Sequence, residues 1–260
     1  MLLLHGLASN LTRWSEFVER TRLAEARDLI RVDLRGHGES ATRGRIGLEI
    51  WRDDLLALLD AEHAPRAVWV GHSLGAQVAL ACAAQAPERV AALALIDPVF
   101  RVALHGRWKW LARAAPLLAL AVAVVRALNA MGLRRRQLPP LDLRALDELA
   151  RASLGSPAAE AAFICRYSSA RADLRSFRSA HYLQELVEIF RPVEAPERIA
   201  APTLVLLSTG ATFAELAAMR AIASRFPCGE VHTIDCHHWP LTERPDEVRQ
   251  LIEAWCEPLP

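Results

Sequence analysis

Short apolar runs alternate with longer segments of helical periodicity along most of this chain. Six runs rich in Leu, Ile, Val and Ala predict β-strands, and several lack the apolar-polar alternation of half-exposed strands, as expected of strands buried on both faces. The predicted strands are residues 2–4, 29–32, 67–70, 91–96, 203–207 and 230–234. The predicted helices are residues 13–26, 48–62, 74–85, 213–225 and 243–255. This alternation predicts an α/β fold with a mostly parallel sheet flanked by helices.

The pattern changes from residue 99 to residue 199, where helical segments rich in Ala, Leu and Arg replace the strand-like runs. A stretch of this length between two strands of one sheet predicts an inserted helical cap. The core would then comprise residues 1–98 and 200–260. Within the cap, residues 114–125 are uninterrupted apolar, which is short of the roughly 20 residues that a spanning helix needs.

That apolar run has two interpretations. Its Ala-rich composition favours a buried cap helix, and we prefer this to a helix that lies in a membrane interface. The interfacial alternative rests on Trp108 and Trp110, which stand beside basic residues. Both interpretations predict an apolar lid above the site that the sheet carries.

Composition and charge reduce the number of functions that the chain could have. The chain has 260 residues, of which 52% are hydrophobic and 23% charged, as in a globular domain with a substantial core. Lys and Arg total 31 against 30 Asp and Glu, and this balance argues against nucleic acid as the main ligand. Five widely spaced cysteines without a C-x-x-C pair, and a start without signal-peptide features, predict reduced thiols and a cytoplasmic location.

The strongest chemical signal is the sequence Gly71-His72-Ser73-Leu74-Gly75, between a predicted strand and a predicted helix. In this context G-x-S-x-G is typical of a nucleophile elbow, a sharp turn that exposes the serine hydroxyl at the carboxyl edge of a sheet. The backbone N–H of Leu74 would begin the helix, where partial positive charge favours an oxyanion.

Together with other motifs, this elbow resembles the α/β-hydrolase fold superfamily. The motifs are Leu4-His5-Gly6-Leu7, Asp33-Leu34-Arg35-Gly36-His37-Gly38-Glu39-Ser40, the elbow, His238-Trp239-Pro240 and Glu243-Arg244-Pro245. The resemblance covers roughly residues 1–98 and 200–256 and leaves out the cap. It implies that the N–H groups of Leu7 and Leu74 form an oxyanion hole, and that residues 33–40 form a structural turn.

The resemblance also implies a catalytic histidine near the carboxyl end. His238 occupies the matching position, whereas His237 is interpreted as a lining or structural residue. The expected acid is missing, because Ala211 stands where relatives usually have Asp. Asp97 ends the preceding predicted strand and is preferred as the acid, with Glu215 as the less favoured substitute.

A serine at the elbow indicates acyl transfer. We therefore expect a serine hydrolase that cleaves an ester-like bond of a small or medium apolar substrate. A C–C bond hydrolase or lyase, or a catalytically silent binding protein, are the alternatives. The sequence shows no metal-binding or dinucleotide motif, so we expect no cofactor and no metal. The oligomeric state stays open.

The start of the chain departs from the family pattern. Relatives usually carry two further strands before His-Gly, whereas only four residues precede His5 here. Either the sheet lacks its antiparallel edge, or translation starts further upstream. In the first case we expect an exposed edge strand.

Overall fold

One parallel sheet organises the molecule. A computed structural model describes residues 1–153, 156–193, 195–210 and 212–259. The strands pair in the order β2-β1-β3-β4-β5-β6, and every neighbouring pair is parallel. They are β1 (Leu2–Leu4), β2 (Ile30–Val32), β3 (Ala67–His72), β4 (Val90–Ile96), β5 (Thr203–Ser208) and β6 (Gly229–Ile234). The predicted α/β fold is confirmed, and β2 forms one half-exposed edge of this sheet.

Helices cover both faces of the sheet and fill the segment between β4 and β5. They are α1 (Ser15–Arg20), α2 (Leu48–Ala61), α3 (Leu74–Gln85), α4 (Gly106–Arg113), α5 (Ala115–Ala130), α6 (Leu143–Ser153), α7 (Pro157–Tyr167), α8 (Ala170–Ser176), α9 (Ser179–Ile189), α10 (Leu216–Ala223), α11 (Pro240–Glu243) and α12 (Pro245–Cys256). In the described part of 99–199 the regular elements are helical, apart from one isolated bridge at Leu104.

The core has two layers because side chains alternate across each strand. On β1, Leu3 belongs to a cluster with Val248 of α12. Its neighbours Leu2 and Leu4 belong to a cluster on the other face, with Trp51 of α2. Burial on both faces explains why these strands read as continuous apolar runs.

The predicted helix 13–26 is wrong in its length, since the structure divides it. Only Ser15–Arg20 is α-helical, and 3₁₀ turns flank it. Thr21 is extended, with φ −79° and ψ 136°, and its hydroxyl donates to the Glu253 carboxylate at 2.8 Å. This contact with α12 gives the threonine hydroxyl an acceptor outside the helix and ends α1.

Two other predicted helices differ from the structure at their ends. The helix predicted to begin at residue 213 begins at Leu216, because Ala214 forms an antiparallel bridge with Leu104. The helix predicted over 243–255 appears as α11 and α12. They are separated at Arg244, since Pro245 occupies the first turn of α12.

The apolar residues 114–125 lie mostly in α5, which is covered on one side only. That side packs against α9 and buries Val122, whereas Leu117, Leu120 and Val124 are exposed. The preferred interpretation of a buried helix is therefore wrong for the outer side of α5. None of the described helices alone is long and apolar enough to cross a bilayer; α4 and α5 satisfy that test only as a pair bent by 65°.

Two glycines allow α3 to approach the ends of β1 and β3. A Cβ atom on Gly75 would lie 2.4 Å from the carbonyl oxygen of Leu4, and one on Gly71 would lie 2.4 Å from the backbone of Gly75. Backbone atoms cannot rotate away as a side chain can, so a larger residue would push α3 off the sheet. The close approach holds Ser73 at the point where β3 becomes α3.

We predict that Gly75→Ala destabilises the fold by about 3 kcal/mol, because the added methyl group overpacks against backbone. Urea unfolding measures the change. The control is Gly44→Ala, whose added Cβ would meet only the Thr42 hydroxyl, at 3.3 Å. Equal free energies of unfolding for the two variants would contradict the role assigned to this contact.

Candidate active site

Ser73 lies on the turn between β3 and α3 in an unusual backbone conformation. Its φ of +52° and ψ of −112° place a non-glycine residue in a sparsely populated region, which surrounding structure must enforce. Its N–H donates to the carbonyl of Ile96 at 2.9 Å, so the next strand helps to hold the turn. The side chain is buried beneath the loops at this edge of the sheet.

The structure brings Ser73, His238 and Asp97 into one chain of hydrogen bonds. His238 follows β6, and its Nε2 lies 3.0 Å from the Ser73 Oγ. Its Nδ1 is hydrogen-bonded to Oδ2 of Asp97. The other oxygen of Asp97 accepts the N–H of Ser208 at 3.1 Å. The three residues preferred from the sequence thus lie side by side, although 165 positions separate His238 from Ser73.

The charge of Asp97 determines which ring nitrogen of His238 carries a proton. Burial favours the neutral carboxyl, but the nearby His238 and the N–H of Ser208 outweigh burial and lower the pKa of Asp97. The ionised carboxylate accepts a hydrogen bond from Nδ1–H. In the neutral ring, Nε2 is then free to accept the hydrogen of the Ser73 hydroxyl.

The alternatives raised by the sequence lie elsewhere. Glu215 is exposed at the start of α10, and the Nδ1 of His238 contacts Asp97 instead. Ala211 lies outside the described residues. His237 donates its backbone N–H to the Glu243 carboxylate at 3.0 and 3.1 Å, so it shapes the histidine loop.

His72 is a site residue that the motif contains but that sequence reasoning did not single out. Its Nε2 lies 3.0 Å from the carbonyl oxygen of His238. Burial lowers the pKa of His72 to about 3, so the ring is neutral and its Nε2–H donates to that carbonyl. His72 therefore ties the loop of His238 to the elbow.

The loop after β1 passes directly over Ser73. A Cβ atom on Gly6 would lie 3.3 Å from the Cβ of Ser73. Within the described ranges, the N–H groups of Leu7 and Leu74 have no hydrogen-bond acceptor in the protein. Ala8, which follows Leu7, has a φ of +47°. Its N–H donates to the Glu185 carboxylate at 2.9 Å.

Glu185 joins this loop to the helical segment. It is fully buried on α9, and its Oε1 lies 3.2 Å from Nε2 of His37. Burial opposes charge on His37, but the Glu185 carboxylate and the carbonyl of Leu34 outweigh it and raise the pKa of His37. One sequence signal could have identified Glu185: it is an acid on the face of α9 that carries Tyr182 and Leu186.

A cavity of about 820 Å³ opens above Ser73 and His238. Its size is within the range of small-molecule sites. Its walls come from the elbow edge and from the helical segment, and include Leu7, Trp108, Leu146, Phe163, Leu186 and Phe213. The cavity is mostly apolar, and its buried cation Arg13 is already paired with Asp147.

Among the residues that the structure describes, no group of three or more His, Cys, Asp or Glu could hold a metal ion. All five cysteines are free thiols.

Comparison with known proteins identifies the family. Residues 1–245 match the family described as alpha/beta hydrolase fold. This chain belongs to the α/β-hydrolase fold family. The resemblance stated from its motifs is confirmed, and hydrolase chemistry is supported for this α/β hydrolase at the level of the family.

Individual relatives match only part of their length. The chain is 36% identical over 110 residues to the pimeloyl-[acyl-carrier protein] methyl ester esterase of Vibrio vulnificus, which covers 42% of this chain and 40% of that protein. It is 32% identical over 99 residues to the 2-hydroxymuconate semialdehyde hydrolase of a Pseudomonas species, which covers 37% and 35%. A thermophilic esterase structure from Thermogutta terrifontis superimposes with a TM-score of 0.68 at 25% identity, covering 99% of this chain and 89% of that one.

These two curated relatives are matched over only 40% and 35% of their own length. The α/β hydrolase described here therefore shares a fold and a local sequence signature with them. Their substrates do not transfer with that likeness.

We predict that Glu185→Gln lowers the melting temperature by about 2–4 °C at about pH 6 and less at about pH 9. The raised pKa of His37 makes the pair stabilising below the ordinary histidine pKa of about 6.5, and that contribution is lost as the pH rises through the raised value. Thermal denaturation at the two pH values tests this.

Glu49→Gln is the matched control, because Arg191 lowers the pKa of Glu49 to about 2. The Glu49–Arg191 pair stabilises the fold above the ordinary pKa of glutamate. The loss of melting temperature in Glu49→Gln should therefore persist at the alkaline pH. The same pH dependence in both variants would contradict the pairing of Glu185 with charged His37.

Proposed function

We propose that the chain is a serine hydrolase that cleaves an ester-like acyl bond of a small or medium apolar substrate. The proposal rests on one observation: hydrogen bonds link Asp97 to His238 and His238 to Ser73 at the base of an apolar cavity. Nucleophile, base and orienting acid in this geometry are the features of acyl-transfer catalysis. The ester hydrolases among the relatives support the same reaction class.

In the proposed acylation, His238 Nε2 takes the proton of the Ser73 hydroxyl as Oγ attacks the substrate carbonyl carbon. The carbonyl π electrons move to oxygen and form a tetrahedral oxyanion. When the carbonyl re-forms, the bond to the alkoxy group breaks and that group leaves as an alcohol with the proton from His238. Water repeats these steps on the acyl-serine and releases the acid, which restores Ser73.

The N–H groups of Leu7 and Leu74 are the proposed donors to the oxyanion. They have no protein acceptor in the described part of the chain, and Leu74 begins α3, where the helix dipole adds positive potential. Loss of one such donor typically lowers the rate by about 10²–10³-fold. Glu185 is a positioning residue: it accepts the N–H of Ala8 and so holds the loop that carries the N–H of Leu7.

The substrate class follows from the cavity. Its mostly apolar wall favours an acyl group or alcohol of hydrocarbon character. Arg13, the buried cation of the lining, is already paired with Asp147, and the other lining cations, Arg166 and Arg175, are exposed to solvent. Turnover of p-nitrophenyl esters over a range of acyl lengths would locate the preferred size.

We predict that a fluorophosphonate probe labels the wild-type protein and that Ser73→Ala abolishes the labelling. The probe forms a covalent bond only with a serine whose hydroxyl is activated by a neighbouring base. Gel fluorescence and mass spectrometry locate the label, and Ser208→Ala is a control on a second buried serine. Absence of labelling in folded wild-type protein would contradict the proposal and favour a silent binding protein.

We predict that Asp97→Asn lowers kcat for an ester by about 10⁴-fold, because the amide no longer stabilises the imidazolium or selects the correct tautomer. Glu215→Gln should leave kcat nearly unchanged, since Glu215 is exposed and does not contact the Nδ1 of His238. Steady-state kinetics of both variants provides the test. The reverse ranking would refute Asp97 as the acid.

Hydrolysis of a C–C bond beside a carbonyl is the second candidate. It is supported by the likeness to a 2-hydroxymuconate semialdehyde hydrolase. Both reactions use the same serine, so probe labelling does not separate them. Assays of a vinylogous diketone and of simple esters separate the two reactions. Cleavage of the diketone into two products in preference to ester hydrolysis would favour the C–C reaction.

A further inference from the structure

The outer side of α5 is an uncharged surface exposed to solvent. Every exposed residue within this helix is Pro, Ala, Leu or Val. Leu117 is 70% exposed, Leu120 62% and Val124 51%, and their spacing of three and four places them on one side. A water-exposed helix normally presents polar residues on this side.

Further exposed apolar residues come before and after α5 along the chain. Trp110 on α4 is 68% exposed, and beyond α5 Met131 and Leu133 are 69% and 68% exposed. We call the exposed residues of α5 together with these three the apolar face. Exposed apolar patches mark sites of interaction with a protein or a membrane.

The apolar face lies within a segment of exclusively positive charge. Between Asp97 and Asp142 the sequence contains no acidic residue. The eight basic residues in this stretch are Arg101, Arg107, Lys109, Arg113, Arg126, Arg134, Arg135 and Arg136. Lys109 and Arg113 precede α5, and Arg134 and Arg136 follow it, all of them exposed.

We propose that the apolar face docks on the surface of a bilayer that contains anionic lipids. Helix α5 would lie parallel to the membrane, with its Leu and Val side chains among the acyl chains and the basic residues at both ends beside the phosphates. Apolar burial combined with basic flanks is the pattern of interfacial helices. Trp110 is suited to the boundary between hydrocarbon and headgroups.

Charge argues against a second copy of the chain as the occupant. A two-fold contact through the apolar face would bring two sets of basic residues together without an acidic partner from the same stretch. Like charges across an interface oppose association. An anionic lipid surface supplies the complementary charge.

The position of the apolar face gives docking a functional consequence. Trp108 lines the cavity above Ser73, whereas Trp110 on the same helix belongs to the apolar face. Helix α9 likewise packs against α5 and contributes Leu186 to the cavity wall. The membrane would therefore lie one helical layer from the cavity. Docking itself does not depend on the proposed hydrolysis.

Vesicle flotation tests the proposal with the full chain. We expect the protein to float with vesicles of phosphatidylcholine and phosphatidylglycerol, to float poorly with phosphatidylcholine alone, and to dissociate at high salt. The triple variant Leu117→Asn, Leu120→Asn, Val124→Asn should lower the bound fraction by at least about tenfold. Its melting temperature should be unchanged, because these side chains are exposed.

Charge variants test the electrostatic part. Arg134→Gln with Arg136→Gln should weaken binding by about fivefold or more. The control Arg66→Gln with Arg220→Gln removes the same charge from exposed positions outside the apolar face and should bind as the wild type does. Absence of flotation, or equal binding to both kinds of vesicle, would overturn the proposal. It would also be overturned by a dimer, measured by light scattering, that the triple variant dissociates while no vesicles are bound.

Discussion

The register between β3 and β4 is the constraint on which the candidate site depends. His72 pairs with Ile96 across these strands, so the residues that follow them, Ser73 and Asp97, leave the sheet at the same level. Both adopt positive φ, +52° and +46°, which turns the chain sharply at the sheet edge. A shift of one residue would turn every side chain on one strand to the opposite face and separate the hydroxyl from the carboxylate.

Contacts between distant parts of the chain complete the arrangement. His72 holds the carbonyl of His238, and Glu185 holds the N–H of Ala8. In these contacts His72 is paired through Nε2 and Glu185 through Oε2, which limits the free energy that their desolvation costs. The site is therefore organised by the sheet edge and by α9 together. Changes in the helical segment can reach the loop beside Ser73 through Glu185.

Local sequence signals predict the strands, the elbow and the position of His238, because each depends on short-range pattern. Asp97 could be inferred because parallel strands present their carboxyl ends at one edge. The contact between Glu185 and Ala8 spans 177 positions, and the end of helix α1 at Thr21 depends on α12. Neither can be predicted from neighbouring residues in the sequence. The exposure of α5 was missed for a related reason: apolar composition is the same whether a neighbour covers a helix or not.

The five thiols differ in reactivity because the fold buries them unequally. Burial raises the pKa of Cys82 and Cys236 to about 12 and that of Cys256 to about 11, so none of these three forms the nucleophilic thiolate near neutral pH. Cys165 and Cys228 are exposed. Alkylating dyes would therefore attach at two points, one of them on α7 beside the cavity wall. After Cys228→Ser, Cys165 would be the single exposed thiol, so a fluorophore attached there would report ligand entry.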